Sequence, residues 1–277
     1  MSTSRSPFAP MIDPLNYAGK RAVVTGTFSG IGEATARLLV DLDVEVTAVD
    51  IRSTRVPVAH RLEVDLRDRL AIEEAAAQLG PIDAFFNCAG VPGPPFSGGS
   101  LLPIDVMVVN FVGPRHLIEL TVPTMPPGSA IAYVASASGV AWQQNLGTLL
   151  PLVATDGFDA GKAWCEANPE VITEDTYFLS KEVINTWTAW RSSRLIREHG
   201  IRVNCTNPGS VETPMMDVFR ALMPDPPGGP IGRLSTPEEQ AWPLVVLNSP
   251  RFSYVTGQSF LIDGGLFGAV HTGQPTG

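Results

Sequence analysis

A short apolar run, Arg21-Ala-Val-Val-Thr25, empties into Gly26-Thr-Phe-Ser-Gly30-Ile-Gly32 and then into a helix-forming stretch from Glu33 to Asp41, and this succession leaves the chain few folds to adopt. Glycines let the backbone turn tightly and let a bound group approach the main chain, while the N–H groups that open the helix carry a partial positive charge suited to a pyrophosphate. Gly26, Ser29, Gly30, Ile31 and Gly32 are the candidate contacts. A glycine cluster by itself also fits an ordinary loop. The ATP-type loop is excluded, because no Lys-Ser or Lys-Thr follows the glycines.

What comes next repeats the alternation. A second strand, Glu45 to Val49, ends in Asp50, where a carboxylate accepts the hydrogen bonds of an adenosine ribose and repels a 2′-phosphate. That favours NAD over NADP, with Arg52 nearby working the other way. A third strand, Arg61 to Leu66, carries Asp65 near its end; a helix from Arg69 to Leu79 closes at Gly80-Pro81; a fourth strand, Ile82 to Phe86, runs into Asn87-Cys88-Ala89-Gly90. Strands and helices in this rhythm predict an α/β, doubly wound parallel sheet with helices on both faces and the ligand across the carboxyl ends of its strands. Asp65 and Asn87 to Gly90 fall at those ends.

Further along, Thr176-Tyr177-Phe178-Leu179-Ser180-Lys181 sets a tyrosine and a lysine four residues apart in a predicted helix, on one face. A neighbouring ammonium favours the ionised phenol, so Tyr177 is a candidate to exchange a proton with a substrate oxygen. The same spacing also describes a half-buried ring beside a solvated charge. Context decides between the two.

Thr25-Gly26-x-x-x-Gly30-Ile31-Gly32, Asp65-Leu66, Asn87-x-Ala89-Gly90, Asn110, Tyr177-x-x-x-Lys181, Pro208-Gly209 and Asp263-Gly264-Gly265 occur in one order over residues 19 to 268. In this the chain resembles a classical short-chain dehydrogenase/reductase. The resemblance implies a single-domain Rossmann fold with a seven-stranded parallel sheet. It implies NAD held by the glycine turn, by Asp50, Asp65 and Leu66, by Asn87, Ala89 and Gly90, by Tyr177 and Lys181, and by Pro208, Gly209, Val211 and Thr213. Its catalytic set would be Asn110, Ser136, Tyr177 and Lys181. Asn110, within a predicted helix from Ile104 to Val122, would bend the backbone to hold a water in a proton relay. Of the two serines in Ala135-Ser136-Ala137-Ser138-Gly139, the family's serine precedes the glycine by three positions, which selects Ser136 to orient the substrate oxygen, with Ser138 a neighbour of the same chemistry. Lys181 would lower the phenol pKa and bind the nicotinamide ribose. Cys88 departs from the family's asparagine or alanine.

The gap between Ser136 and Tyr177 exceeds the family's usual one, so residues 143 to 172 read as an insertion with two helices, Gln143 to Val153 and Asp156 to Asn168, the second placing Phe158, Trp164 and Cys165 on one apolar face. Such an insertion is expected to be a lid or an oligomer contact. It resembles one in the 3α-hydroxysteroid dehydrogenase/carbonyl reductase and coniferyl-alcohol dehydrogenase branch. Met215, Met216, Phe219, Leu222 and Met223, beside a Pro/Gly-rich run, suit a substrate flap over residues 214 to 233, or else core packing. Residues 1 to 18 are expected to form an arm ahead of a domain spanning 19 to 277, and the tail after Ala269 to be loose.

Charge and cysteines narrow the rest. A formal charge of −9 removes the electrostatic footprint of a nucleic-acid or acidic-membrane binder. Cys88, Cys165 and Cys205 show no paired spacing, and His60, His116, His199 and His271 no metal-ligand spacing. No signal-peptide core or membrane-length apolar run is seen, so a soluble, cytoplasmic protein is expected, without metal, and the family resemblance implies a homodimer or homotetramer. The activity expected is NAD(H)-dependent interconversion of a hydrophobic alcohol and its carbonyl compound, hydroxysteroids first, aryl or terpenoid alcohols next. The alternatives are a catalytically silent dinucleotide-binding regulatory or scaffold protein, and an epimerase or dehydratase, which the short C-terminal region disfavours.

Overall fold

Alternate residues of the first strand leave for opposite faces of the sheet, and a separate apolar cluster waits on each side. Val23 packs with Ile72, Phe85, Phe111, Ile131, Val183 and Trp187, whereas Ala22 and Val24 pack with Leu39, Val46, Phe86 and Leu244. This is the signature of a parallel sheet buried on both faces. A computed structural model describes residues 13–93, 101–221 and 224–276.

In order, the elements are β1 (Arg21–Thr25), α1 (Gly30–Asp41), β2 (Glu45–Asp50), β3 (His60–Glu63), α2 (Arg69–Leu79), β4 (Ala84–Asn87) and α3 (Pro103–Met107). There follow α4 (Gly113–Thr121), β5 (Ala130–Val134), α5 (Leu146–Val153), α6 (Gly157–Ala167), α7 (Thr176–His199) and β6 (Arg202–Pro208). The chain closes with α8 (Pro214–Arg220), α9 (Pro237–Asn248), β7 (Ser259–Ile262) and α10 (Leu266–Thr272). The seven strands run β3-β2-β1-β4-β5-β6-β7, every neighbouring pair parallel. Strand order reverses between β1 and β4, with Thr25 opposite Asn87. That crevice is where such sheets bind ligands.

Between α3 and α4 the predicted continuous helix is interrupted. Val108–Val112 forms a π-turn, the N–H of Gly113 bonding the carbonyl of Val108, and Asn110 lies at its centre. The wide turn is centred on the residue at which the sequence led one to expect a bend.

The inserted helices form as predicted within a few residues, but they dock on the domain and line no part of the main cleft. Phe158 and Cys165 are buried and Trp164 packs against them, with Leu149, Leu152 and Val153 of α5 in the same cluster. Arg115 of α4, itself buried, fastens the insertion: its guanidinium donates to the carbonyls of Leu152 (3.3 Å), Thr155 (3.1 Å) and Gly157 and to Thr155 Oγ1 (2.9 Å). The segment's apolar face is thus spent on the core.

The ends also differ from the sequence reading. Residues 1–12 of the expected arm lie outside the described residues, but by residue 17 the chain is docked: Tyr17 is buried, its hydroxyl donating to the carbonyl of Val245 at 2.8 Å. The C-terminal tail is helical through Thr272, and the N–H of Gln274 bonds the carbonyl of Ala269. Among the described residues, no helix is long and apolar enough to cross a membrane.

Candidate active site

The turn after β1 shows why glycine is required. Gly26 has φ +71°, and a Cβ there would lie 2.6 Å from the N of Ala89, so the β1 and β4 turns touch backbone to backbone. Thr25 Oγ1 locks them together, donating to Asn87 Oδ1 at 2.6 Å and accepting from the N–H of Ala89 at 3.1 Å. Cys88 leaves this turn intact. Helix α1 then begins at Gly30 with Ser29 as its N-cap but no side-chain cap, so its first-turn N–H groups stay available to an anion.

A cleft of about 390 Å³ runs from this turn across the strand ends. Gly26, Ser29, Gly30, Ile31, Asp50, Asp65 and Leu66 line one half of it. Ala89, Gly90, Tyr177, Lys181, Pro208, Gly209, Val211 and Thr213 line the rest. Gly32, Asn87, Asn110 and Ser136 are not part of its lining, though half-buried Ser136 is hydrogen-bonded to Tyr177, which is. Asn87 holds the two turns together, and Asn110 pins a third: its Oδ1 accepts from the N–H of Val91 (2.8 Å), and its Nδ2 donates to the Val91 carbonyl (3.1 Å) and to Ser180 Oγ (3.0 Å).

At the acidic end the carboxylates are already engaged. Asp50 accepts from the N–H groups of Phe28 and Arg52, both at 2.9 Å, and the Arg52 guanidinium stacks 3.6 Å from the centre of the Phe28 ring. Arg67 chelates Asp65, with Nη2 2.7 Å from Oδ2, and holds that carboxyl below the usual range. Sequence reasoning missed Phe28 and Arg67. Only the Asp-x-Arg spacing hinted at the second.

At the other end, Tyr177 and Lys181 project from one face of α7 and are both buried. Lys181 Nζ lies 5.4 Å from the centre of the tyrosine ring and donates to the Val134 carbonyl at 3.4 Å. Burial pushes the Tyr177 phenol up to about 12, opposed by its hydrogen bond with Ser136, and pushes the lysine down to about 8. Burial is the larger of the two influences on the phenol. Ser136 Oγ also accepts from the N–H of Ser138, whose own side chain is exposed. The cluster is thus a buried phenol hydrogen-bonded to a hydroxyl beside a buried amine, fit to pass a proton to or from an oxygen.

The donor set fits a nicotinamide dinucleotide: a glycine cradle that a Cβ would fill, an uncapped helix N-terminus, and a carboxylate at the end of β2. A family model described as short chain dehydrogenase matches residues 20–146, and one described as Enoyl-(Acyl carrier protein) reductase matches residues 167–267. The unmatched stretch between them, residues 147 to 166, holds all but one residue each of α5 and α6. The chain is 30% identical over 257 residues to coniferyl-alcohol dehydrogenase of Pseudomonas sp. (strain HR199 / DSM 7063), covering 91% of this chain and 98% of that one. It is 29% identical to 3-alpha-hydroxysteroid dehydrogenase/carbonyl reductase of Comamonas testosteroni, over 88% of this chain and 95% of the relative. Its fold is similar to that of the 3-alpha-hydroxysteroid dehydrogenase from Pseudomonas sp. B-0831 solved with NADH, with a TM-score of 0.74 at 24% identity, covering 92% and 99% of the two chains.

Proposed function

The chain belongs to the short-chain dehydrogenase/reductase family, and on that premise we propose that it is an NAD(H)-dependent oxidoreductase interconverting a hydrophobic alcohol and its carbonyl compound. The observation that carries the proposal is the grouping of Ser136, Tyr177 and Lys181 at one end of a cleft whose other end presents Asp50.

When bound, the dinucleotide supplies or takes up the hydride. The chain's residues do the rest. Gly26 to Gly32 receive the pyrophosphate, Asp50 the adenosine ribose, Asp65 and Leu66 the adenine, and Val211 and Thr213 the nicotinamide amide. Asn87, Ala89 and Gly90 shape the floor, and Pro208-Gly209 turns the chain over it. Tyr177 donates a proton to the substrate oxygen in reduction and accepts one in oxidation; Ser136 orients that oxygen; Lys181 holds the nicotinamide ribose and supports the phenolate. Asn110, through the π-turn and its hold on Val91, supports a water relay. The carboxylate of Asp50 supports NAD over NADP by repelling a 2′-phosphate.

The substrate end supports a neutral, apolar ligand. Val91, Leu101, Val109, Met215, Met216 and Phe219 line it, and Lys181 supplies the charge there. Hydroxysteroids or ketosteroids come first, aryl and terpenoid alcohols next, in keeping with the names of the relatives. A cytoplasmic setting accords with three unpaired cysteines. A homo-oligomer accords with exposed apolar side chains along the β7 edge, Phe260 and Leu261, together with Trp242 of α9 and Val270 of α10.

The test is turnover of a panel of hydroxysteroids, aryl alcohols and terpenoid alcohols with NAD and, separately, NADP. Reduction of NAD by one class supports the proposal. Tight dinucleotide binding with no turnover in either direction on any alcohol or carbonyl would replace it with the silent binding protein.

A further inference from the structure

Val203, Cys205 and Asn207 leave β6 on the same face, and the first two join the apolar cluster that holds Val183 and Trp187 of α7. Asn207 breaks this row with a buried amide, one position before Pro208 and Gly209 join the cleft wall. An amide in such a place costs stability unless its groups are paired. Asn207 pairs both of them with a single residue: its Oδ1 accepts from Asn185 Nδ2 at 3.0 Å, and its Nδ2 donates to Asn185 Oδ1 at 3.1 Å. Asn185 is itself buried on α7, one turn beyond Lys181 and two beyond Tyr177, on the same stripe of the helix. Cys205 Sγ donates to the same Oδ1 at 3.1 Å, and Asn185 Nδ2 also reaches the carbonyls of Gly139 and Lys181. Neither asparagine lines the cleft.

Resting on the oxidoreductase reading, we propose that Asn207 is a positioning residue: through its two-way amide pair with Asn185 it fixes the Pro208-Gly209 turn against the helix bearing Tyr177 and Lys181. Hydride and proton transfer act on one carbon and its oxygen, yet the groups that serve them come from different elements. The Pro208-Gly209 turn ends β6 on the dinucleotide side, and the phenol projects from α7. Small errors in their relative placement are costly, because reacting atoms must approach to about 3–3.5 Å. Two apolar side chains at these positions would hold β6 to α7 by contact that has no preferred direction. The amide pair has direction at both ends, so it sets how far the helix lies along the strand. It does so one residue from the turn and one helical turn from Lys181, and the bond to the Gly139 carbonyl brings the Ser136 loop into the same network.

The experiment measures kcat, alcohol KM, NADH affinity and the urea midpoint for the native chain, Asn207→Ala, Asn207→Asp, Asn185→Ala and the double alanine variant. The alcohol is whichever the native chain oxidises, used plain and deuterated at its carbinol carbon. In Asn207→Ala, kcat per folded molecule is expected to fall about tenfold or more, with alcohol KM and NADH affinity changed by less than about threefold. Deuteration should slow this variant at least as much as the native chain, since hydride transfer is the step made worse. Asn207→Asp has the shape of the native side chain and keeps the oxygen that Asn185 meets, so it should recover part of the loss. The double variant should be no slower than Asn185→Ala alone, as two members of one unit behave.

A native-like kcat in an Asn207→Ala chain that folds and binds NADH would overturn the assignment while leaving the oxidoreductase reading in place. A fall in the urea midpoint with kcat per folded molecule unchanged, or additive losses in the double variant, would do the same. Should Asn207→Ala not fold, a native-like kcat in Asn207→Asp decides against the assignment and a reduced one, with NADH affinity intact, decides for it. Absent dinucleotide binding, or binding without turnover of any alcohol or carbonyl by the native chain, would sink that reading and this inference with it.

Discussion

Gly139 rests on the backbone of Lys181 so closely that a Cβ on the glycine would lie 2.6 Å from the lysine's carbonyl carbon. Asn185 Nδ2 clamps the same contact, donating to the carbonyls of Gly139 (3.0 Å) and Lys181 (3.1 Å). The loop bearing Ser136 is thereby pressed onto the helix bearing Tyr177, which is how two distant segments bring a hydroxyl and a phenol together. Gly139→Ala is expected to lift the loop, destabilise the fold by about 1–3 kcal/mol as an overpacked site does, and lower kcat by about tenfold or more. Dinucleotide affinity should change far less. Chemical denaturation and steady-state kinetics measure the two effects.

Lys181 is buried, and its ammonium donates to the Val134 carbonyl over a long 3.4 Å, so the fold carries this charge at a cost. Its pKa is depressed from 10.5 to about 8, meaning that the unfolded chain binds this proton more tightly. Below pH 8 the folded state bears the penalty, and the penalty fades as pH rises from 8 towards 10.5. Lys181→Met should therefore gain roughly 2–3 kcal/mol of stability near neutrality while losing turnover. A urea melt at neutral pH that shows a loss instead would contradict this.

The same depression predicts a pH profile. The kcat/KM for NADH in carbonyl reduction reports ionisations of the free protein, and should fall as pH rises through about 8, where Lys181 becomes neutral. Tyr177, with its phenol near 12, stays protonated across that range and sets no limb there. A flat profile to pH values well above 8 would argue that Lys181 is not required as a cation.

Asp50 ties the Phe28 and Arg52 N–H groups and lines the cleft, where the proposed function has it meet the adenosine ribose. Asp50→Ala should narrow the preference for NAD over NADP by about tenfold, equivalent to ~1.4 kcal/mol, with Arg52 left to meet a 2′-phosphate. Titration of both dinucleotides gives the ratio directly. An unchanged ratio would remove Asp50 from discrimination.

Arg115→Ala should leave the carbonyls of Leu152, Thr155 and Gly157 without their shared donor and cost about 2–4 kcal/mol. Cleavage by a protease should then begin between residues 142 and 172, since those helices lose their fastening to α4. Limited proteolysis followed by mass spectrometry locates the first cut.

Much of this architecture was legible because its signals are local. The strand, glycine turn and helix around Gly26 to Gly32 sit next to one another in sequence, and the Tyr177–Lys181 pair needs only one helical turn. What escaped depends on distance. Arg115 and the insertion meet across some forty positions, so nothing near Gln143 announced that its helices would dock rather than hang over the site. A bend at Asn110 was expected only through family resemblance, and its form as a π-turn was not expected at all, because a wide turn has no periodicity of its own. Burial of the phenol is equally non-local: sequence spacing supplied the neighbouring lysine but not the dry wall around both groups. The strand expected to run to Leu66 stops at Glu63, on a sheet edge where His60, Arg61 and Glu63 face solvent. Within the flap, Met215, Met216 and Phe219 reach the cleft, while Leu222 and Met223 lie outside the described residues.

Tyr177 is the proposed proton-transfer group. Tyr177→Phe removes one hydroxyl from a buried ring and leaves the glycine turn and Asp50 untouched, so it separates proton transfer from dinucleotide binding. The measurement is NADH formation from NAD with whichever alcohol the native chain oxidises, alongside NADH affinity of the variant. The expected result is native-like affinity with turnover reduced by about a thousandfold or more. Near-native turnover in Tyr177→Phe would contradict the central claim and move the search for the proton-transfer group to another residue of the cleft.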